Sequence, residues 1–175
     1  GCAGQPAAPE TVSPTGFTLR SPGRADNAML TRPYAGQNPA NANCVGENLS
    51  PALAWANVPA GTRSFAIVMD DQAGRAGLGV NHWVAYGIPA DLTALAEGEA
   101  TAAAARLTAG KNTLGMAYLG PCPPRGNAPQ HYVYTLIATT LEPGALPPGL
   151  TKAQLMEALA GKARGAASLV LRFAH

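Results

Sequence analysis

The run from Tyr132 to Ile137 constrains the fold more than any other stretch, because it is apolar on both faces of a strand. Its side chains alternate between two apolar sets, which are Tyr132, Tyr134 and Leu136 on one face and Val133, Thr135 and Ile137 on the other. A strand buried on both sides belongs in the middle of a sheet or between two layers. This run therefore favours a β-sandwich.

Other parts of the chain predict further strands and a single helix. Apolar runs with strand-like patterns occupy residues 17–20, 52–55, 64–69, 82–88 and 168–173. A capping-box pattern at Thr151 and Gln154 begins the helix, and Gly161 ends it. Strands and helices do not alternate, which argues against a doubly wound fold. The prediction is a mainly β, mostly antiparallel protein.

Length and charge limit the organisation and the partners of the chain. Its 175 residues predict one domain over residues 16–175, preceded by a flexible tether over residues 1–15. Only 13% of residues are charged, the net charge is +2, and Lys and Arg form no run. Nucleic acid is therefore not expected as a partner. The longest alanine-rich piece, residues 100–105, is far too short to span a membrane, which predicts a soluble domain.

The start of the chain predicts export. Gly1-Cys2-Ala3 has no initiator Met and fits the remnant of a bacterial lipobox, in which Cys2 becomes the lipidated first residue. The other interpretation is a cloning scar beside an ordinary surface cysteine, with a cytoplasmic protein as the alternative location. A membrane is expected as a partner only through Cys2. In an oxidising compartment Cys44 and Cys122 would form a disulfide, whereas two free, partly buried thiols remain the alternative.

Two polar clusters predict a small rigid pocket. The first lies in the loop Gly120 to Pro124, where three prolines in five residues fix the backbone. The second joins Asp70 at the end of one strand to His82 at the start of the next. A carboxylate that accepts one ring N–H of His82 would orient the imidazole, raise its pKa and leave the other N–H for an anion. Asp71 is predicted to be a solvated loop carboxylate, and His82 has the alternative of a satisfied, half-buried histidine.

Catalysis and metal binding are less favoured by the sequence. A nucleophile at Ser50 or Cys122 with His82 as its base would need a nucleophile turn, and neither residue sits in one. His82, His131 and His175 lack the spacing of zinc ligands. The sequence therefore predicts a protein that is not an enzyme and that uses no metal or cofactor.

Several motifs resemble a known family, in an order and spacing that match from Cys44 to the end of the chain. They are Cys44-Val45-Gly46-Glu47-Asn48-Leu49-Ser50-Pro51, Leu53-Ala54-Trp55, the segment Pro59 to Ala66, Asn81-His82-Trp83-Val84, Ile88-Pro89, Glu97-Gly98 and Gly120-Pro121-Cys122-Pro123-Pro124. These residues resemble the phosphatidylethanolamine-binding proteins, and in particular their bacterial Raf-kinase-inhibitor-like branch. The resemblance implies an antiparallel β-sandwich with a few short peripheral helices.

The resemblance also implies a function and a site. Family members bind phosphate-type anions, such as a phospholipid head group, in a small surface pocket. The ligand-binding residues that it implies here are Asp70, His82, Tyr118, Gly120, Pro121, Cys122, Gln130 and Tyr132, with Trp55 and Trp83 nearby. Relatives that inhibit proteases or kinases imply the alternative, which is inhibition through protein contact.

Two departures from the family pattern bear on this pocket. Gln72 stands where a second carboxylate is usual, and Gln130 stands where a second histidine is usual. His131 is displaced by one residue, and a shift of one on a strand sends a side chain to the other face. Gln130 can donate an amide hydrogen bond to an anion, but it supplies no charge. The affinity for a head group is therefore expected to differ from that of the family.

Overall fold

The computed structural model describes residues 16–102 and 106–175. Its β-strands are β1 (Thr18–Arg20), β2 (Ala28–Met29), β3 (Leu53–Ala56), β4 (Ser64–Asp71), β5 (Val80–Pro89), β6 (Ala94–Leu95), β7 (Thr108–Ala109), β8 (Lys111–Asn112), β9 (Gly115–Met116), β10 (Gln130–Thr139) and β11 (Ala163–Phe173), and its α-helix is α1 (Lys152–Leu159). Three short 3₁₀ turns occupy Arg32–Tyr34, Arg75–Gly77 and Glu99–Thr101. The predicted tether over residues 1–15, including Cys2, lies outside the described residues.

The strands form one large sheet and two small ones. The large sheet has the order β2-β11-β10-β4-β5-β7, a second sheet has the order β1-β3-β6, and β8 pairs with β9. All these pairs are antiparallel except β2 with β11, which is parallel. The central position predicted for residues 132–137 is confirmed, because β10 lies between β4 and β11.

One face of the large sheet packs against the second sheet. Leu19 and Leu53 of the second sheet share a buried cluster with Leu136 of the large one. Trp55 meets Phe65 edge to face, with 5.4 Å between ring centroids. Aromatic pairs in this geometry stabilise a core beyond the area they bury. Two sheets thus enclose the main core, and the predicted mainly β fold is confirmed.

The opposite face of the large sheet packs against α1. Leu155 and Leu159 of the helix contact a second buried cluster on β4, β5 and β10, and Val68 belongs to this cluster. The predicted capping box is present, since the Gln154 amide donates to Thr151 Oγ1 at 3.2 Å and the Thr151 amide donates to Gln154 Oε1 at 3.0 Å. No helix among the described residues has both the length and the apolar character needed to cross a membrane.

Candidate functional site

A cavity of about 410 Å³ opens at one end of the large sheet, where β4 ends and where β5 and β10 begin. Four buried side chains of its lining come from the strands, and we call them the inner wall: Asp71, His82, Gln130 and Tyr132, with exposed fractions of 3%, 4%, 7% and 1%. Three loops surround the opening, and they contribute Asn38, Asn41 and Cys44, residues 73–76 and residues 122–124. The first of these three loops lies between the 3₁₀ turn at Arg32–Tyr34 and β3.

The carboxylate of the inner wall is Asp71 rather than the predicted Asp70. Because β4 continues through both residues, the two side chains point to opposite faces of the sheet. Asp70 points towards the helix, where it accepts a hydrogen bond from Lys152 Nζ at 2.9 Å and one from Asn81 Nδ2 at 3.0 Å. The predicted pairing of Asp70 with His82 is therefore wrong. The prediction of a solvated Asp71 is also wrong, because this carboxyl group is buried.

A β-bulge brings His82 to the inner wall. Met69 pairs with Trp83, but Asp70 pairs with Asn81, so β5 has one extra residue at His82. A bulge of this kind interrupts the strict alternation of side chains along a strand. Strict alternation would place His82 on the same face as Val84, yet Val84 lies in the cluster beneath α1 while His82 lines the cavity.

The imidazole of His82 is fixed by two neighbours. Its Nδ1 lies 2.8 Å from the Leu119 carbonyl oxygen, and because a carbonyl can only accept, Nδ1 carries the proton. The ring also meets Tyr132 edge to face, with 5.2 Å between centroids. Burial lowers the pKa of His82 and thus favours the neutral ring, which is opposite to the predicted direction. Asp71 acts against this effect, more than Asp70 does.

Asp71 and Gln130 form a hydrogen-bonded pair at the back of the cavity. Gln130 Nε2 donates to Asp71 Oδ2 at 2.7 Å, and the Ala73 amide donates to Asp71 Oδ1 at 3.1 Å. Burial raises the pKa of Asp71, although nearby His82 and the Ala73 amide partly offset the effect. Gln130 Oε1 is buried and has no hydrogen-bond partner among the described residues.

The remaining predicted site residues divide into two groups. Cys122 lines the cavity together with the two prolines that follow it. Gly120 and Pro121 hold the loop in place instead, since the Gly120 amide donates to Asn48 Oδ1 at 2.7 Å and the Pro121 carbonyl accepts from the Gly36 amide at 2.8 Å. Neither of these two residues lines the cavity.

The three aromatic residues implied near the site belong to the core. The Tyr118 hydroxyl lies 3.0 Å from the Tyr134 hydroxyl, and its ring meets Trp83 edge to face at 5.3 Å between centroids. Burial raises the pKa of Tyr118 above its usual value. Trp55 donates from Nε1 to the Leu92 carbonyl at 2.9 Å. None of the three lines the cavity. All three are part of the main buried cluster.

A disulfide between Cys44 and Cys122 joins two of the surrounding loops. The two Cα atoms are 4.7 Å apart, and both residues line the cavity. A Cβ at position 36 would overlap Cys122 Sγ, which explains glycine at that position. Of the two interpretations of these cysteines, the disulfide is confirmed. Cys122 is therefore not a free thiol nucleophile, and Ser50, buried beside the Ala100 amide, does not line the cavity.

Sequence reasoning missed Arg75, which lines the cavity at its opening. Arg75 and Ala76 adopt left-handed backbone angles, with φ of 53° and 58°. Such angles are uncommon outside glycine and recur at functional sites. The three glycines at positions 74, 77 and 79 were the available signal of an unusual turn here. Arg75 forms no ion pair with any described residue.

The other histidines lie apart from the inner wall. His131 is exposed on the opposite face of β10, as the displacement by one residue predicted. His175 Nε2 contacts the Pro123 carbonyl oxygen at 2.7 Å, outside the cavity. Within residues 16–102 and 106–175, no group of three or more His, Cys, Asp or Glu side chains is placed to hold a metal ion.

A family profile and two relatives each match this chain over most of its length. The profile of the family described as phosphatidylethanolamine-binding protein matches residues 20–174. A UPF0098 protein of Aquifex aeolicus is 32% identical over 158 residues, which cover 88% of this chain and 92% of that protein. A Mycobacterium tuberculosis protein named "Putative lipoprotein LppC" is 36% identical over 159 residues, which cover 90% of this chain and 72% of that one.

The fold of this chain also matches that of a protein of solved structure. The crystal structure of Escherichia coli YbcL, described as a new member of the mammalian PEBP family, superimposes with a TM-score of 0.79. The two chains are 27% identical, and the match covers 91% of this chain and 98% of YbcL.

Proposed function

Because this chain belongs to the phosphatidylethanolamine-binding protein family, we propose that it is a non-enzymatic binding protein whose cavity holds a small phosphate-bearing molecule or phospholipid head group. The observation that supports this function is the inner wall itself. Four buried side chains, three of them polar and one a tyrosine, converge on one cavity from three adjacent strands. A cavity of about 410 Å³ is within the usual range for small-molecule sites.

Two groups at this cavity suit a phosphate. The guanidinium of Arg75 has a planar array of donors that matches phosphate oxygens, and it has no ion-pair partner among the described residues. His82 has one ring nitrogen committed to the Leu119 carbonyl, so its Nε2 is available to a ligand. An anion near the ring would favour the imidazolium and would convert Nε2 into a charge-assisted donor.

The disulfide restrains the loops at the opening and so preorganises the cavity for a ligand. Cys44 and Cys122 link two loops at the opening, and the prolines after Cys122 restrict the backbone further. A preorganised site loses less conformational entropy when it binds. The cavity therefore favours binding of a small molecule without a large loop closure.

The test is a titration with phosphoethanolamine and with inorganic phosphate, followed by calorimetry. We expect saturable binding of phosphoethanolamine to the wild-type protein and a loss of about tenfold or more in His82→Ala, since a hydrogen bond to a charged group is removed. His131→Ala is the matched control, because His131 is exposed and lies outside the cavity. If neither compound binds the wild-type protein, the proposed function is wrong.

We further propose that the protein is exported. The name of the Mycobacterium tuberculosis relative and the disulfide of this chain support this location, because disulfides persist in oxidising compartments. Cell fractionation of the producing organism is the measurement, with mass spectrometry of the peptide around Cys2 to detect a lipid. Recovery of the protein in the cytosol would contradict the proposal. Inhibition of a protease or kinase stays a prediction.

A further inference from the structure

One side of the cavity opening is formed by residues 38–44, which we call the Asn-rich loop. Asn38, Asn41 and Cys44 of this loop line the cavity. Most of the loop is exposed, and none of its residues belongs to either buried cluster or packs against one. Packing against the core therefore does not fix the position of the loop.

Hydrogen bonds do not fix the loop to the rest of the molecule either. Among the described residues, its hydrogen bonds all lie within the loop, between 2.9 and 3.0 Å, with the Ala40 and Asn41 amides donating to Asn38 and the Asn43 and Cys44 amides donating to Asn41. Such bonds are typical of local Asn turns. The disulfide from Cys44 to Cys122 is therefore what holds the loop across the opening.

The base of the Asn-rich loop is fixed without the disulfide. The Gly36 amide donates to the Pro121 carbonyl at 2.8 Å, and the Gly46 amide donates to the Gly36 carbonyl at 3.0 Å. Gln37 and Val45 pair as an isolated β-bridge, and Val45 packs against the main buried cluster. Loss of the disulfide is thus expected to free the loop and to leave the chain on either side of it in place.

Both cysteines are placed for thiol–disulfide exchange. Cys44 and Cys122 are half-buried at the cavity opening and lie outside both buried clusters. In this reaction a thiolate attacks one sulfur and displaces the other, so the attacked sulfur has to be accessible. The crosslink can therefore form and break while the domain stays folded.

We propose that the disulfide is a redox switch that controls access to the cavity through the Asn-rich loop. In the oxidised state, the bond between Cys44 and Cys122 holds the loop across the opening. A dithiol breaks this S–S bond by passing two electrons and two protons to the two sulfurs, and the dithiol itself becomes a disulfide. The loop then moves away from the opening about its base at Gln37 and Val45. A disulfide oxidant reverses the exchange and closes the opening again.

His82 reports on this access from inside the cavity. Its side chain is buried and lines the cavity in the oxidised state. The ring is expected to keep its place after reduction, because its Nδ1 donates to the Leu119 carbonyl, which lies outside the Asn-rich loop. A change in the reactivity of His82 therefore measures access to the cavity.

The first measurement is amide relaxation by NMR on the oxidised chain and on the chain reduced with dithiothreitol. Order parameters of residues 38–44 are expected to stay above about 0.6 in the oxidised protein and to fall below it on reduction, since this value marks a flexible backbone. Gly36 and Gly46 should keep their values, because their hydrogen bonds do not depend on the disulfide. Oxidised glutathione should restore the original values throughout the loop.

The second measurement is the rate at which diethyl pyrocarbonate, which acylates neutral imidazole, modifies His82. The variant with both Cys44→Ser and Cys122→Ser represents the open state and lacks the thiols that would consume the reagent. We expect its His82 to react about tenfold or more faster than that of the oxidised wild type, because the rate follows the population of the open state. His131 is exposed and should react equally in both proteins, as the internal reference.

Three results would overturn the switch. The first is unchanged order parameters in residues 38–44 on reduction, and the second is an equal rate at His82 in the two proteins. The third is loss of the near-ultraviolet circular dichroism of the reduced wild type, because the disulfide would then hold the whole core rather than one loop. The double variant is the control for the reagents, and its loop should not respond to dithiothreitol or to oxidised glutathione.

Discussion

Two adjacent carboxylates show how much a single position matters. Asp70 and Asp71 have the same chemistry, yet one forms an ion pair with Lys152 beneath the helix and the other is buried in the cavity beside Gln130. The difference arises because β4 extends to Asp71, and alternate residues of a strand point to opposite faces. Which of the two carboxylates reaches the inner wall therefore depends on its position along β4.

The buried imidazole of His82 predicts a pH dependence of stability. Burial places its folded-state pKa below the usual value of about 6.5, so the unfolded chain binds the proton more readily as the pH falls. The contribution to the free energy of unfolding is complete above about pH 6.5 and is lost as the pH falls towards the folded pKa, by at most about 1.4 kcal/mol per pH unit.

Urea denaturation at pH 7.5 and pH 5.5 checks this prediction. The decrease in stability between the two values is expected to be smaller in His82→Gln than in the wild type, whereas His131→Gln should follow the wild type. The comparison between variants is needed because the raised pKa of Asp71 acts in the opposite sense and stabilises the fold as acid is added. Equal decreases of stability in the wild type, His82→Gln and His131→Gln would contradict the lowered pKa of His82.

At the scale of elements, a bulge and a disulfide build the site. The bulge in β5 turns His82 towards the cavity, and the disulfide holds the loop after β9 against the loop that precedes β3. Neither the bulge nor the disulfide is part of the regular pairing of the strands. Both act where strands end and loops meet, which is where binding residues commonly lie.

The disulfide is expected to stabilise the fold as well as the site. Cys44 and Cys122 are 78 residues apart in sequence, and a crosslink of this length restricts the unfolded chain strongly. Reduction should lower the free energy of unfolding by about 2–4 kcal/mol. Urea denaturation with and without a reductant is the measurement. A variant with both Cys44→Ser and Cys122→Ser serves as the control, and its midpoint should not respond to the reductant. An unchanged midpoint in the reduced wild type would refute the prediction.

At the scale of the whole molecule, the large sheet connects two cores. One face packs against the second sheet and the other packs against α1, so β4, β5 and β10 contribute to both buried clusters. Strands shared in this way couple the two clusters, because neither can lose its packing without exposing the same sheet.

This coupling predicts a single cooperative unfolding transition for residues 16–175. Trp55 and Trp83 are buried in the main core, so their fluorescence reports on it, while far-ultraviolet circular dichroism reports on the sheets as a whole. The two signals should give the same urea midpoint, as they do in two-state proteins. Leu155→Ala, on the helix side, should shift both midpoints together. Separate midpoints would show that α1 and its cluster unfold independently.

Among the described residues, the sequence by itself determined the six strands of three or more residues and the helix. Periodicity of two marked the central position of β10, and Thr151 with Gln154 marked the start of α1, because both signals depend on residues close together in the chain. The cavity around His82, Cys122 and Gln130 was also predictable, because these residues lie at the ends of strands or in the loop between them.

Only the tertiary structure decided which side chains line the cavity together. The bulge that turns His82 depends on the pairing of β5 with β4, and a pairing register involves contacts that no local pattern encodes. The same applies to the disulfide, which needs two distant loops to meet, and to Arg75, whose left-handed turn brings it to the opening. Local patterns give the direction of side chains along a strand, but cross-strand contacts decide which of them share one cavity.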